Sequence, residues 1–196
     1  TVTPAARFPL LQFLNDAAFK ADSRMQKVSV SMADEHSVVL IATSDGRIVE
    51  DVQPMTRMNV QCVAEFKGRR EQNGWGIASR SGIDWYTQDR LSMLVERAVE
   101  KTVTLFDAIV PPVGEMPVVL GPGGSGILLH EAIGHGMEAD FNRKGTSVFS
   151  DKIGKPVAKP FVTIVDDGTQ AHARGALNID DEGNEVGLTH LVENGV

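Results

Sequence analysis

The interval between His130 and His135 restricts this chain more than any other feature. Both lie in Leu128-Leu129-His130-Glu131-Ala132-Ile133-Gly134-His135-Gly136-Met137-Glu138-Ala139-Asp140, a stretch with an apolar helical ground. In the zinc-protease signature H-E-x-x-H the histidines are four apart, share one helix face and hold the ion, while the glutamate is a general base. Here the interval is five. At ~100° per residue, a regular helix would set the two side chains about 140° apart. Position i+4 from His130 is Gly134, which has no side chain. Both imidazoles reach one ion only if the helix absorbs the extra residue, through a π-bulge or a break at Gly134 or Gly136. A lone histidine on an apolar face is commonly filler, whereas this pair follows a glycine loop. That loop, Gly121-Pro122-Gly123-Gly124-Ser125-Gly126, turns sharply and starts a helix, with Ser125 placed as an N-cap. It lacks the Gly-Lys-Ser/Thr ending of a nucleotide P-loop.

Upstream, Leu10, Leu11, Phe13, Leu14, Ala17, Ala18 and Ala21 have helical spacing within Pro9 to Met25. The period then changes. Val28, Val30 and Met32 alternate with serines, Val38 to Ile41 is a short apolar run, and Ser44-Asp45-Gly46-Arg47 is a turn before Ile48 to Val52. Met58, Val60, Cys62, Ala64 and Phe66 share one face of a half-buried strand in an antiparallel sheet. Cys62 is a small hydrophobe there. Gly74-Trp75-Gly76 fits a loop or an irregular strand where another backbone comes close. Thr87 to Phe106 is the clearest helix, with Leu91, Leu94, Val95, Ala98, Val99, Thr102, Leu105 and Phe106 on one face, and Pro111-Pro112 marks a boundary after it. Met116 to Leu120 is expected as a short buried strand, 142–159 as a polar mobile loop, and Phe161 to Val165 as a strand. Asp180-Asp181-Glu182-Gly183-Asn184 lacks the full calcium-loop pattern and fits a solvated hairpin turn.

The expected architecture is α+β: an antiparallel sheet with flanking helices over 1–110, then, over 111–196, the start of a second mixed domain carrying the metal-binding helix. A net charge of −7 excludes a broad nucleic-acid surface, and no apolar run approaches the ~20 residues of a membrane span. One cysteine rules out an internal disulfide framework and fits a reducing, cytoplasmic setting.

On metal chemistry, His130 and His135 are candidate zinc ligands and Glu131 a candidate base. Within the chain Glu138, Asp140, His172 and Cys62 are candidates for a third ligand. Glu138 lies eight residues beyond His130 and reaches a shared ion only if the helix breaks. The segment from Gly121 to Asp140 resembles the catalytic helix of the TldD/PmbA family of zinc metalloproteases. Ala42-Thr43-Ser44-Asp45-Gly46, Asp51 to Val60 and Leu191-Val192-Glu193-Asn194-Gly195-Val196 extend the likeness over nearly the whole chain. It is nearest the TldD-type subunit, because the TldE (PmbA-type) subunit lacks H-E-x-x-x-H. The resemblance implies Zn²⁺, hydrolysis of unfolded or extended peptides, a TldE/PmbA-like partner subunit and a cysteine beyond Val196 as third ligand. It also implies that the chain is an internal fragment, inactive by itself. The rival expectation is a non-catalytic peptide-binding or regulatory module of the gyrase-modulator type, which has no need of Glu131 beside His130.

Overall fold

The computed structural model describes residues 3–196, which form two compact units. The first comprises residues up to 110 together with 168–186, and the second comprises 111–167 together with 187–196.

The first unit opens with α1 (Pro4–Ala21), five residues earlier than the periodicity begins. Thr3 explains the start: its hydroxyl accepts from the Ala6 N–H at 3.4 Å, and Pro4 takes the first helical position, where a missing N–H costs nothing. Pro9 is tolerated inside the helix because the carbonyl it leaves unbonded, that of Ala5, belongs to an exposed residue. Three antiparallel strands follow in the order β1 (Met25–Ala42), β2 (Ile48–Phe66), β3 (Arg69–Ser79). The β1 and β2 strands are far longer than their separate apolar runs, since pairing is continuous from Lys27↔Val63 to Ala42↔Ile48. Pro54 fits in β2 because the β2–β3 ladder begins only at Thr56↔Ser79. Gly74-Trp75-Gly76 is regular strand. A side chain on Gly74 would collide with the Val60 carbonyl oxygen, so the close backbone approach is real.

The register sets Val28 opposite Cys62, Val30 opposite Val60 and Met32 opposite Met58. Partners of this kind share a face. That face is covered by Leu14 and Ala18 of α1 and by Leu91, Leu94, Val95, Ala98 and Val99 of α2 (Gln88–Val103). Each fully buried Leu or Val contributes roughly 1.5–3 kcal/mol relative to exposure. Thr87 stands at the α2 N-cap without a side-chain bond, and a 3₁₀ turn, Thr104–Asp107, completes the expected span. Cys62 is fully buried, and burial raises its thiol pKa.

Residues 168–186 form an arm of the first unit. Ala176 and Ile179 are buried, and Asn178 donates to Asp51 Oδ1 at 2.5 Å. The acidic stretch is a hairpin turn as its composition suggests: Asp180 N–H donates to Asn184 O at 2.9 Å, with Gly183 at φ +79.

The second unit holds α3 (Ser125–Leu129), a π turn (His130–Gly134), α4 (His135–Met137), α5 (Ala139–Arg143) and the antiparallel pair β4 (Ile164–Asp167) and β5 (Leu188–Val192). The strand expected at Met116 to Leu120 does not form, and Val119 is 96% exposed. An apolar run becomes a strand only beside a partner, and none pairs with it among the described residues. Ser125 is the first helical residue and not the N-cap; its hydroxyl donates to the Gly121 carbonyl. The segment expected as a mobile loop is tied down: Asn142 Nδ2 donates to the carbonyls of Gly136 at 3.0 Å and Glu138 at 2.8 Å, and Ser147 Oγ donates to Gly136 O. No helix is long and apolar enough to cross a membrane among the described residues.

Candidate metal centre

The five-residue interval is absorbed by the π turn. The His135 N–H donates to His130 O, an i to i−5 bond that adds one residue to the turn. The rings of His130 and His135 thereby come together, with centroids 4.5 Å apart and planes at 74°. Gly134, where a side chain would contact the His130 ring, leaves that space open. One donor atom each from His130, Glu131 and His135 lie within 4.8 Å of one another, and all three residues are exposed. Among the described residues no other group of three or more His, Cys, Asp and Glu side chains gathers in this way.

Two carboxylates divide the His135 ring between them. Glu138 Oε1 lies 2.6 Å from Nδ1, while Glu131 Oε2 lies 3.5 Å from Nε2. The hydrogen bond that His135 Nδ1 donates to Glu138 raises the His135 pKa above the ordinary imidazole value; desolvation opposes this, and the charges of Glu131 and Glu138 add to it. A cavity of about 440 Å³ adjoins the cluster, lined by His130, Ile133 and Glu138 and by Ile164, Val165 and Asp166 of β4.

The other third-ligand candidates are engaged elsewhere. Cys62 is in the core of the first unit, His172 Nδ1 sits 2.7 Å from Ser81 Oγ, and Asp140 accepts from Lys144 Nζ at 3.2 Å. Glu138 is bonded to His135, three residues before it, and the helix breaks between α4 and α5 at Glu138, whose ψ is 136. Its place three residues after His135 was the available signal. Nothing in the sequence pointed to the β4 wall, which is brought to the cavity by non-local packing.

Ligands of one tetrahedral zinc lie about 3.4 Å from each other, given Zn–N bonds of about 2.0–2.1 Å. The donor set is therefore of the right kind and within side-chain adjustment of a shared ion. Two imidazoles and a carboxylate on one helical turn define a class, the metallohydrolases with a histidine–glutamate helix. The comparisons narrow the class. The family model of the PmbA/TldA metallopeptidase central domain matches residues 1–106, and that of the C-terminal domain matches residues 113–196. The chain belongs to the PmbA/TldD family of metallopeptidases. It is 39% identical to the Metalloprotease TldD homolog of Haemophilus influenzae over 100% of this chain and 42% of that protein. The chain thus spans about two fifths of the length of the curated relatives it matches. Solved structures agree on the fold. A Thermotoga maritima protein described as a candidate modulator of a DNA gyrase superimposes with a TM-score of 0.82 at 21% identity, covering 100% of this chain and 44% of that one. TldE from Thermococcus kodakarensis gives 0.73 at 22% identity, covering 100% and 43%.

Proposed function

We propose that this chain carries the catalytic segment of a zinc-dependent metallopeptidase that cleaves unfolded or extended peptides in the cytoplasm, alongside a TldE/PmbA-like partner subunit. The observation that carries the reading is the π turn, which brings His130 and His135 to one side and leaves Glu131 beside them. His130 and His135 hold the ion through neutral imidazole nitrogens. Glu138, on His135 Nδ1, orients that ring so that Nε2 is presented for binding. The third ligand is proposed to be a cysteine beyond Val196, as the family likeness implies. Zinc held there would supply an acidified water, with its pKa lowered to about 7, and a polarised peptide carbonyl. Glu131 takes the proton of the attacking water on its carboxylate and passes it to the leaving amine, acting first as base and then as acid. The cavity beside His130, walled by β4, receives the peptide.

The test is Glu131→Gln in the intact protein with its partner. Hydrolysis of an unfolded peptide should fall by about 10²–10⁴, the usual contribution of a general base, while zinc content is unchanged. Near-normal turnover would falsify the role of Glu131 and favour the rival module that binds peptide or gyrase without catalysis. Loss of zinc from the variant would make Glu131 a ligand.

A further inference from the structure

We infer that Asp51, Arg80 and Asn178 are positioning residues for the cavity wall, acting through the arm that joins β4 to β5. The β4 and β5 strands are adjacent and antiparallel, yet their connection is not a tight turn but the whole arm, residues 168–186. A flexible loop of that length opposes strand pairing through its closure entropy. Here the arm is closed on itself. Leu177 N–H donates to Gly168 O at 3.2 Å and Val186 N–H to Asn178 O at 3.1 Å. Gly168 and Val186 also meet so closely that a side chain on Gly168 would press on the Val186 side chain.

The arm is in turn fastened to the first unit's sheet by a polar network whose Asp51–Arg80 part is buried. Asn178 Nδ2 donates to Asp51 Oδ1 at 2.5 Å, Arg80 Nη2 to Asp51 Oδ2 at 2.9 Å and Arg80 Nη1 to Asn178 Oδ1 at 3.3 Å. The Asp51 and Arg80 side chains are 3% and 10% exposed. A second fastening holds His172, which is in the left-handed region at φ +67. Its carbonyl accepts from Ser79 Oγ at 2.8 Å and from the Arg80 N–H at 3.3 Å. A buried ion pair adds little net stability over an apolar substitute and is best used to fix register. Here the register it fixes is the arm's. With the arm held closed, its ends hand β4 directly to β5, and Ile164, Val165 and Asp166 stay in place opposite His130 and Glu138.

The test is amide hydrogen exchange on the intact protein carrying Asn178→Ala, with Ser79→Ala as a milder second variant. Both should speed exchange in the arm and in β4 by about fivefold or more, the factor that one lost hydrogen bond of ~1 kcal/mol corresponds to. The core amides of Val60 and Cys62 should keep their rates. Wild-type rates in β4 alongside a faster arm would overturn the inference, as would equal acceleration of Val60 and Cys62, which would make the network a support of the whole first unit. The link to peptide binding rests on the peptidase reading. In an active preparation Asn178→Ala should raise KM for an extended peptide about fivefold, by the same factor, and leave kcat nearly unchanged. An unmoved KM would sever that link. An inactive wild type would count against the peptidase reading, while the exchange data would still decide the role of the arm.

Discussion

Asp51 shows how one side chain can be both costly and useful. Burial alone would raise its pKa. The hydrogen bonds from Asn178 and Gln53 and the charge of Arg80 outweigh burial and hold the carboxyl below the usual carboxylate range. Removing the acid leaves Arg80 buried without its partner. Asp51→Ala should therefore cost about 3 kcal/mol, typical for one half of a buried pair, read as a lowered denaturant midpoint at constant m. The pH dependence has a definite sign. A carboxyl whose folded pKa is below its unfolded value of about 3.9 contributes stability above that value and loses it as pH falls through the folded one. The stability gap between wild type and Asp51→Asn should thus be flat over roughly pH 5–8 and shrink below about pH 4. A gap that widened on acidification would mean that Asp51 is protonated in the folded protein. Cys62 offers the contrasting case: its burial and its inward place in an alternating strand were both legible from the sequence, since they depend only on local period.

At the scale of elements, local signals worked where the cause was local. The Leu91 to Thr102 face was readable because it repeats with the helical period, and the need for a π-bulge or break was readable because five residues do not fit a regular turn. Leu94→Ala, at a fully buried site of α2, should cost about 2–5 kcal/mol in chemical denaturation. The strand expected at Met116 to Leu120 failed for the opposite reason, because a strand is a property of a pair. The helical turn after the π turn also rests on a contact the sequence hid. A side chain on Gly136 would come within 2.7 Å of Phe149, and the Gly136 carbonyl accepts from both Asn142 and Ser147. Gly136→Ala should push the Phe149 ring aside at a cost of about 1–3 kcal/mol, as overpacking does. Adding Phe149→Ala should return part of that cost, so the pair should be non-additive in a thermal-unfolding cycle. Strict additivity would show that the ring moves away without resistance.

For the whole molecule, what the sequence could not reveal is how distant segments pair. Asn178 lies 127 residues from Asp51 and 98 from Arg80. Each is a single polar residue in an ordinary context, so no periodicity marks them as partners, and a boundary drawn at Pro111-Pro112 assigned the arm to the later part of the chain. The same logic of missing partners governs the apolar residues left outside both cores. Ile109, Val110, Val113, Val118 and Val119 are each at least 72% exposed, and they crowd into a short stretch of chain. Scattered exposed hydrophobes are ordinary, but a contiguous run of them favours association. A net charge of −7 opposes that association through like-charge repulsion, which salt screens over about 10 Å at 0.1 M. This chain should therefore self-associate increasingly as ionic strength rises, measured by sedimentation velocity. Val119→Lys should reduce association at every salt concentration, because Val119 is the most exposed residue of Val118 to Leu120 and its replacement leaves both cores untouched. Association that weakened with added salt, or that was indifferent to the lysine, would show that charged surfaces and not this apolar run bring the copies together.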